Sequence, residues 1–267
     1  MKTARLKEIL EEKATTVRDA YLDISPAFDK ECIHEFRTSV KKLRALIRFI
    51  NTVTGTDVDF PEKFRHAYHI SGAIRDRQLM KDHITDTWKL PLVIFHRSLE
   101  NSLNQLKAAW ESHLDFDLIK QLPENLSDQV QNGLHPKDLR EAYDKQMEHT
   151  NELDANISDK DLHEERKVLK DLLYNLKMAK KDWPKAAEAM PDLEDKLDNI
   201  CDLIGDYNDS RNTIKELSTF KSPEITQEEQ MHLNNLKQQY RDHMIYRKVR
   251  IMALLKEMAT NTRLPQA

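Results

Sequence analysis

Apolar residues recur at three- and four-residue steps along almost the whole chain. That spacing lines up one face of a helix and predicts a succession of amphipathic helices. The pattern breaks at Pro26, Thr54 to Pro61, Pro91, Pro123 to Pro136, Asn156 to Ser158, Pro184 to Pro191 and Pro223. Proline and turn-forming residues interrupt helical hydrogen bonding there. The segments between the breaks predict about eight helices, over 2–23, 28–53, 61–86, 91–118, 136–154, 158–182, 191–219 and 225–260. Ser158, three residues before Asp161, has the spacing of an N-cap with an acidic third position. Pro61 and Pro136 suit first-turn positions.

Composition agrees with an all-α chain. Only four of the 267 residues are glycine, too few for the tight hairpins and bulges of a β-sandwich or barrel. Gly55, Gly72, Gly133 and Gly205 stand alone, so neither a G-x-G-x-x-G turn nor a GxxxxGK[ST] phosphate loop can be written. Cys32 and Cys201 are far apart and form no C-x-x-C pair, which suits a reducing compartment. The start, MKTARLKEILEEK, reads as an amphipathic helix rather than a signal peptide. The longest apolar run, Leu92 to Phe95, is far short of the ~20 residues of a spanning helix. The reading is a cytoplasmic protein with no membrane partner. Its net charge is −4, so attraction for a polyanion has to come from how the charges are arranged.

The second half repeats the first. His34-Glu35-x-Arg37 recurs as His163-Glu164-x-Arg166, displaced by 129. Ile33, Val40, Leu43 and Ile47 recur as Leu162, Leu169, Leu172 and Leu176 at the same displacement. Gly72-x-x-Arg75-Asp76 recurs as Gly205-x-x-Asn208-Asp209, displaced by 133. Leu103-Asn104-x-Leu106-Lys107-x-x-Trp110-x-x-His113 recurs as Leu233-Asn234-x-Leu236-Lys237-x-x-Tyr240-x-x-His243, displaced by 130. Matches in the same order at nearly equal displacement predict a duplicated four-helix unit. The units run over 1–121 and 136–267 around a polar linker at 122–135. The expected fold is two four-helix bundles related by a pseudo-twofold axis.

The strongest chemical signal lies between Lys30 and Asn51. His34, Arg37, Lys41, Arg44 and Arg48 follow 3-4-3-4 spacing and fall within an arc of about 80° on a helical wheel. Ile33, Phe36, Val40, Leu43, Ile47 and Ile50 form the apolar face, centred roughly 110° away. The basic line therefore borders the core, while the outermost face is expected to hold Glu35, Thr38, Lys42 and Ala45. A solvated charge run normally interleaves acids one turn away, and this line contains none. His163, Arg166, Lys170 and Lys177 repeat the line, with Leu173 where the first half has Arg44. Two such lines facing each other predict a basic central channel that selects linear polyanions. No aromatic residue lies on the basic lines. Readers of single-stranded nucleic acid stack bases on aromatic rings, which makes nucleic acid the poorer partner and inorganic polyphosphate the better one.

Taken in order, His34-x-x-Arg37-x-x-x-Lys41-Lys42-Leu43-Arg44, Gly72-x-x-Arg75-Asp76, His163-x-x-Arg166-x-x-x-Lys170-x-x-x-Tyr174 and Leu203-Ile204-Gly205-Asp206-Tyr207-Asn208-Asp209 resemble the CHAD family of histidine-bearing α-helical domains over nearly the whole chain. The resemblance implies two four-helix bundles about a pseudo-twofold axis, with a basic central surface that binds polyphosphate. It implies contacts from His34, Arg37, Lys41 and Arg44, and from His163, Arg166 and Lys170. Asp171 and Leu173 depart from the family's basic positions, so the second wall is the weaker one. Arg48, Lys177, Lys107 and its repeat partner Lys237 are further candidates, with Arg241, Arg247 and Arg250 on the last helix. Arg247 is expected either to reach the ligand or to pair with a buried carboxylate. The histidines are expected to strengthen binding below pH ~6.5, where imidazole protonates.

Rival chemistries have weaker support. Glu31-x-x-His34 and Glu229-x-x-His232 have the spacing of a di-metal bundle, but the first would set metal cations beside Arg37 and Lys41. Zinc hydrolysis through H-E-x-x-H fails at Thr38 and Lys167. CHAD regions can accompany a triphosphate-cleaving domain, whose E-x-E-x-K strand is absent here. The expectation is a binder without a cofactor, attached to polyphosphate granules. A phosphohydrolase or its accessory module, and a helical scaffold for an acidic protein, are the alternatives.

Overall fold

The computed structural model describes residues 1–24, 27–113, 116–153, 157–182 and 193–261. Among the described residues every regular element is helical. They are α1 (Thr3–Leu22), α2 (Lys30–Thr54), α3 (Glu62–Asp82) running into a π-helical turn (His83–Trp88), α4 (Val93–Ser112), α5 (Phe116–Asp128), α6 (Pro136–Asn151), α7 (Asp159–Asp182), α8 (Leu193–Thr219) and α9 (Gln227–Asn261). The predicted breaks at Pro26, Asn156 and Pro184 to Pro191 lie outside the described residues. No described helix is long and apolar enough to cross a membrane.

Local chemistry sets the ends. Asp29 caps α2, its carboxylate accepting from the backbone N–H groups of Glu31 at 2.8 Å and Cys32 at 3.4 Å. Gly55 closes the same helix at φ 67°, a left-handed conformation that glycine adopts without steric cost. Ser158 acts as predicted: its hydroxyl accepts from the Asp161 N–H at 3.1 Å and donates to the Asp161 carboxylate at 2.7 Å.

The chain forms two compact units, Met1–Leu134 with Phe220–Leu233, and His135–Thr219 with Asn234–Ala267. In the first, α5 packs on α1, α1 on α2, α2 on α3 and α3 on α4. This corrects the expected linker, because 122–128 is the end of a helix. Ile119, Leu122 and Leu126 of α5 are buried, and that burial against α1 outweighs the cost of Pro123 inside the helix. Residues beyond α5 are tied back too. The Leu134 N–H donates to the Met1 carbonyl at 3.1 Å, and a Cβ on Gly133 would lie 2.3 Å from that oxygen.

The first core centres on aromatic rings from four helices. Trp110, wholly buried, lies 4.7 Å from Tyr21 and 5.6 Å from Phe36, and Tyr21 also meets Phe64 at 5.7 Å. The 220–233 segment joins this unit through two contacts with α4. Phe220 meets the Phe95 ring edge-on at 4.9 Å. The buried Glu229 carboxylate accepts from the N–H groups of Ile94 at 3.4 Å and Phe95 at 2.8 Å, capping a helix whose own N-cap, Leu92, has no polar side chain. Glu229 therefore serves the α4 terminus.

In the second unit α6 packs on α7 and α7 on α8. Buried Glu165 of α7 accepts from Thr150 Oγ1 at 2.7 Å and Gln146 Nε2 at 3.1 Å of α6. From α9, Lys248 donates to the Ile157 carbonyl at 2.6 Å.

Candidate functional site

The apolar face predicted for α2 is buried as expected: Ile33, Phe36, Val40, Leu43, Ile47 and Ile50 all lie in the core. One position differs. Ala45, expected on the outermost face, is fully buried, because α2 is flanked by α1 and α3 and also buries Ser39, Leu46 and Phe49. The basic line keeps its place at the border. Arg37, Lys41 and Arg44 are half-buried, while His34 and Arg48 are exposed.

Tyr68 of α3 organises this line. Arg37 Nη1 donates to the Tyr68 carbonyl at 2.9 Å, and its guanidinium carbon stands 4.6 Å from the Tyr68 ring centroid. The Arg44 guanidinium carbon stands 5.8 Å from the same centroid. Two like charges thus share one ring, whose negative face offsets part of their repulsion. The wheel of α2 alone gave no sign of an aromatic residue here, since Tyr68 comes from a different helix.

Gly72 makes the approach possible. A Cβ there would lie 2.4 Å from Arg37 Nη1, so the guanidinium occupies the groove that glycine leaves in α3. The second unit has the same device. Arg166 Nε donates to the Cys201 carbonyl at 2.9 Å, and a Cβ on Gly205 would lie 2.9 Å from Arg166 Nη2. In both units the carbonyl belongs to the residue four before the glycine. Arginine and glycine, matched separately in the sequence repeat, are one mechanical unit.

A test follows from that geometry. Arg37→Ala is expected to cost about 1–2 kcal/mol through the lost charge-assisted bond, but much less in a Gly72→Ala background, where the added methyl has already expelled the guanidinium. Urea unfolding of the four proteins measures the coupling. Equal costs in both backgrounds would show that the groove does not hold Arg37.

Carboxylates engage the lysines of the second basic line. Lys170 meets Asp198 at 3.2 Å and Asp202 at 3.4 Å, and Lys177 meets Asp198 at 2.6 Å and Glu194 at 3.7 Å. The hydrogen bond that Lys177 donates to Asp198 raises the Lys177 pKa against an opposing effect of burial. Burial pushes the Asp198 carboxyl up, but hydrogen bonds from Lys177 and Lys170 outweigh it and hold the group below the usual range. These acids come from α8 and not from the lysines' own helix.

His163 is half-buried, and its Nδ1 is buried without a hydrogen-bond partner among the described residues. Burial, then the charges of Lys167 and Arg211, lower its pKa. His163 thus resists the protonation that was expected to reinforce anion binding. With its folded pKa below the unfolded value near 6.5, its stabilising contribution is complete above that pH and is lost as pH falls through the window beneath it. His163→Leu is expected to flatten the decline of the melting midpoint between pH 7.5 and pH 5. An unchanged decline would assign the acid sensitivity elsewhere.

The remaining candidates scatter. Lys107 on α4 places Nζ 5.3 Å from the Phe28 ring centroid, just before α2 begins. On α9, Lys237 is half-buried and Arg241 and Arg250 are exposed. Arg247 donates to Ser210 Oγ at 2.7 Å and lies 4.0 Å from Asp206, an exposed carboxylate rather than a buried one. Lys248 lies 3.7 Å from Asp159, whose carboxylate also accepts from the Tyr207 hydroxyl at 2.6 Å. Its role is to anchor α9 to the start of α7. Among the described residues no group of three or more histidine, cysteine or carboxylate side chains is placed to hold a metal ion.

Comparisons with known proteins bear on this arrangement. The chain is similar over 99% of its length to the crystal structure of the CHAD domain from the plant Ricinus communis, with a TM-score of 0.67, 14% identity and 93% of that chain covered. At that identity the likeness speaks for the fold. No curated protein matches the chain. The family model of the CHAD domain matches residues 4–217. That stretch holds both arginine–glycine clamps and both basic lines, and the chain belongs to the CHAD family.

Proposed function

We propose that this CHAD protein binds inorganic polyphosphate without cleaving it, and that the basic line of α2 is the principal contact. The observation that carries the reading is the pair of guanidinium groups, Arg37 and Arg44, held on one Tyr68 ring beside Lys41. Cations fixed at one-turn intervals suit an anion whose charges repeat along a chain, since each phosphate oxygen accepts a charge-assisted bond without further reorganisation. Two guanidinium groups already stand against the Tyr68 ring, which favours phosphate over nucleobase recognition. A protein of this kind would attach to polyphosphate granules.

The test is a gel-retardation competition with phosphate release followed in parallel. Long-chain polyphosphate is expected to displace single-stranded DNA of equal charge, with no orthophosphate released. Preferential retention of DNA would overturn the ligand, and release of orthophosphate would make the protein a hydrolase. Displacement of polyphosphate by an acidic polypeptide would favour the protein-scaffold reading.

A further inference from the structure

The acids facing the second basic line form a line of their own. Glu194, Asp198 and Asp202 recur at four-residue steps along α8, about 6 Å apart. Asp198 bridges Lys170 and Lys177 with its two oxygens, Asp202 adds a contact to Lys170, and Glu194 reaches both Lys177 and Lys180. Every lysine that the repeat aligns with the first line is engaged by a carboxylate of its own unit. The arrangement reproduces in protein what a polyanion lying on these lysines would look like.

We propose that Glu194, Asp198 and Asp202 act as a built-in competitor for polyphosphate, so that the lysines of α7 join in binding only when a longer and denser anion displaces the whole row. The inference rests on the polyphosphate reading above. A single phosphate meeting Lys177 has to break its contacts with both Asp198 and Glu194, and gains one cation. A chain spanning Lys170 to Lys180, about 15 Å along the helix, replaces all the carboxylates with one tethered ligand whose later contacts form at high effective concentration. The row therefore sets a length threshold and discriminates against small phosphates. It also accounts for α7 keeping its lysines although the unit neutralises them. The depressed Asp198 and elevated Lys177 pKa values agree with a tight ladder.

The experiment is calorimetric titration of the full chain with tripolyphosphate and with long-chain polyphosphate, comparing wild type with Glu194→Gln/Asp198→Asn/Asp202→Asn. The triple variant is expected to bind tripolyphosphate about tenfold more tightly, as surface pairs worth a fraction of a kcal/mol each are removed. Its salt dependence with the long chain is expected to steepen by about 0.7 per lysine released. Adding Lys170→Ala/Lys177→Ala should erase that gain, while the same lysine changes in wild type should alter tripolyphosphate affinity less than about threefold. If wild type binds long chains and the triple variant matches it with both probes, the competitor is overturned and the polyphosphate reading stands. If wild type binds no polyphosphate, the polyphosphate reading itself fails. Circular dichroism checks folding. Should the triple variant unfold, Asp198→Asn alone removes the bridging carboxylate, and unchanged tripolyphosphate binding there also overturns the proposal.

Discussion

Replacing Lys41 and Arg48 together by glutamate is expected to lower polyphosphate affinity by at least about a hundredfold, since two charge-assisted contacts are lost and repulsion replaces them. Arg37 is unsuited to the same change. Arg37 holds the Tyr68 carbonyl across the Gly72 groove, so a glutamate there would set a carboxylate against a carbonyl and damage the fold along with the site. Lys41 is half-buried and Arg48 exposed on the same line, and their replacement leaves that clamp in place. Circular dichroism should be unchanged while calorimetric binding disappears. Retained affinity would move the site off α2.

The second large effect concerns the support beneath that line. Trp110→Ala is expected to destabilise the first unit by about 3–5 kcal/mol, the range for truncating a large buried aromatic. Trp110 is completely buried and contacts the rings of Tyr21 and Phe36, so its removal opens a cavity that rings from α1 and α2 are too large to collapse into without leaving their rotamers. Chemical denaturation reads the loss, and a variant within about 1 kcal/mol of wild type would contradict the packing described. Tyr240, its partner in the sequence repeat, is only half-buried, so the corresponding change there should cost much less.

Which parts of this were legible in the sequence follows from which physics is local. The buried face of α2 and its basic border both depend on 100° steps along one helix, and Ile33 through Ile50 lie where that arithmetic puts them. The repeated arginines and glycines were visible, but only the packing of α2 on α3 and α7 on α8 shows Arg37 in the Gly72 groove and Arg166 in the Gly205 groove. Pro123 misled because a local breaking signal was outweighed by burial of Leu122 and Leu126 against α1. Tyr68 and the α8 carboxylates were missed for a common reason: each acts on a basic line from a neighbouring helix. The row Glu194, Asp198, Asp202 was readable as a four-residue repeat of acids, the counterpart of the basic line, and its partner is fixed only by the tertiary fold.

The measurement closest to the central claim is calorimetric titration of the full chain with long-chain polyphosphate at about 50 and 200 mM salt, the range over which counterion release is read. With Arg37, Lys41, Arg44 and Arg48 each neutralising a phosphate, the affinity is expected to fall about fiftyfold between the two conditions. Absence of binding at the lower salt, or an affinity indifferent to salt, would contradict a polyphosphate site built on the α2 line.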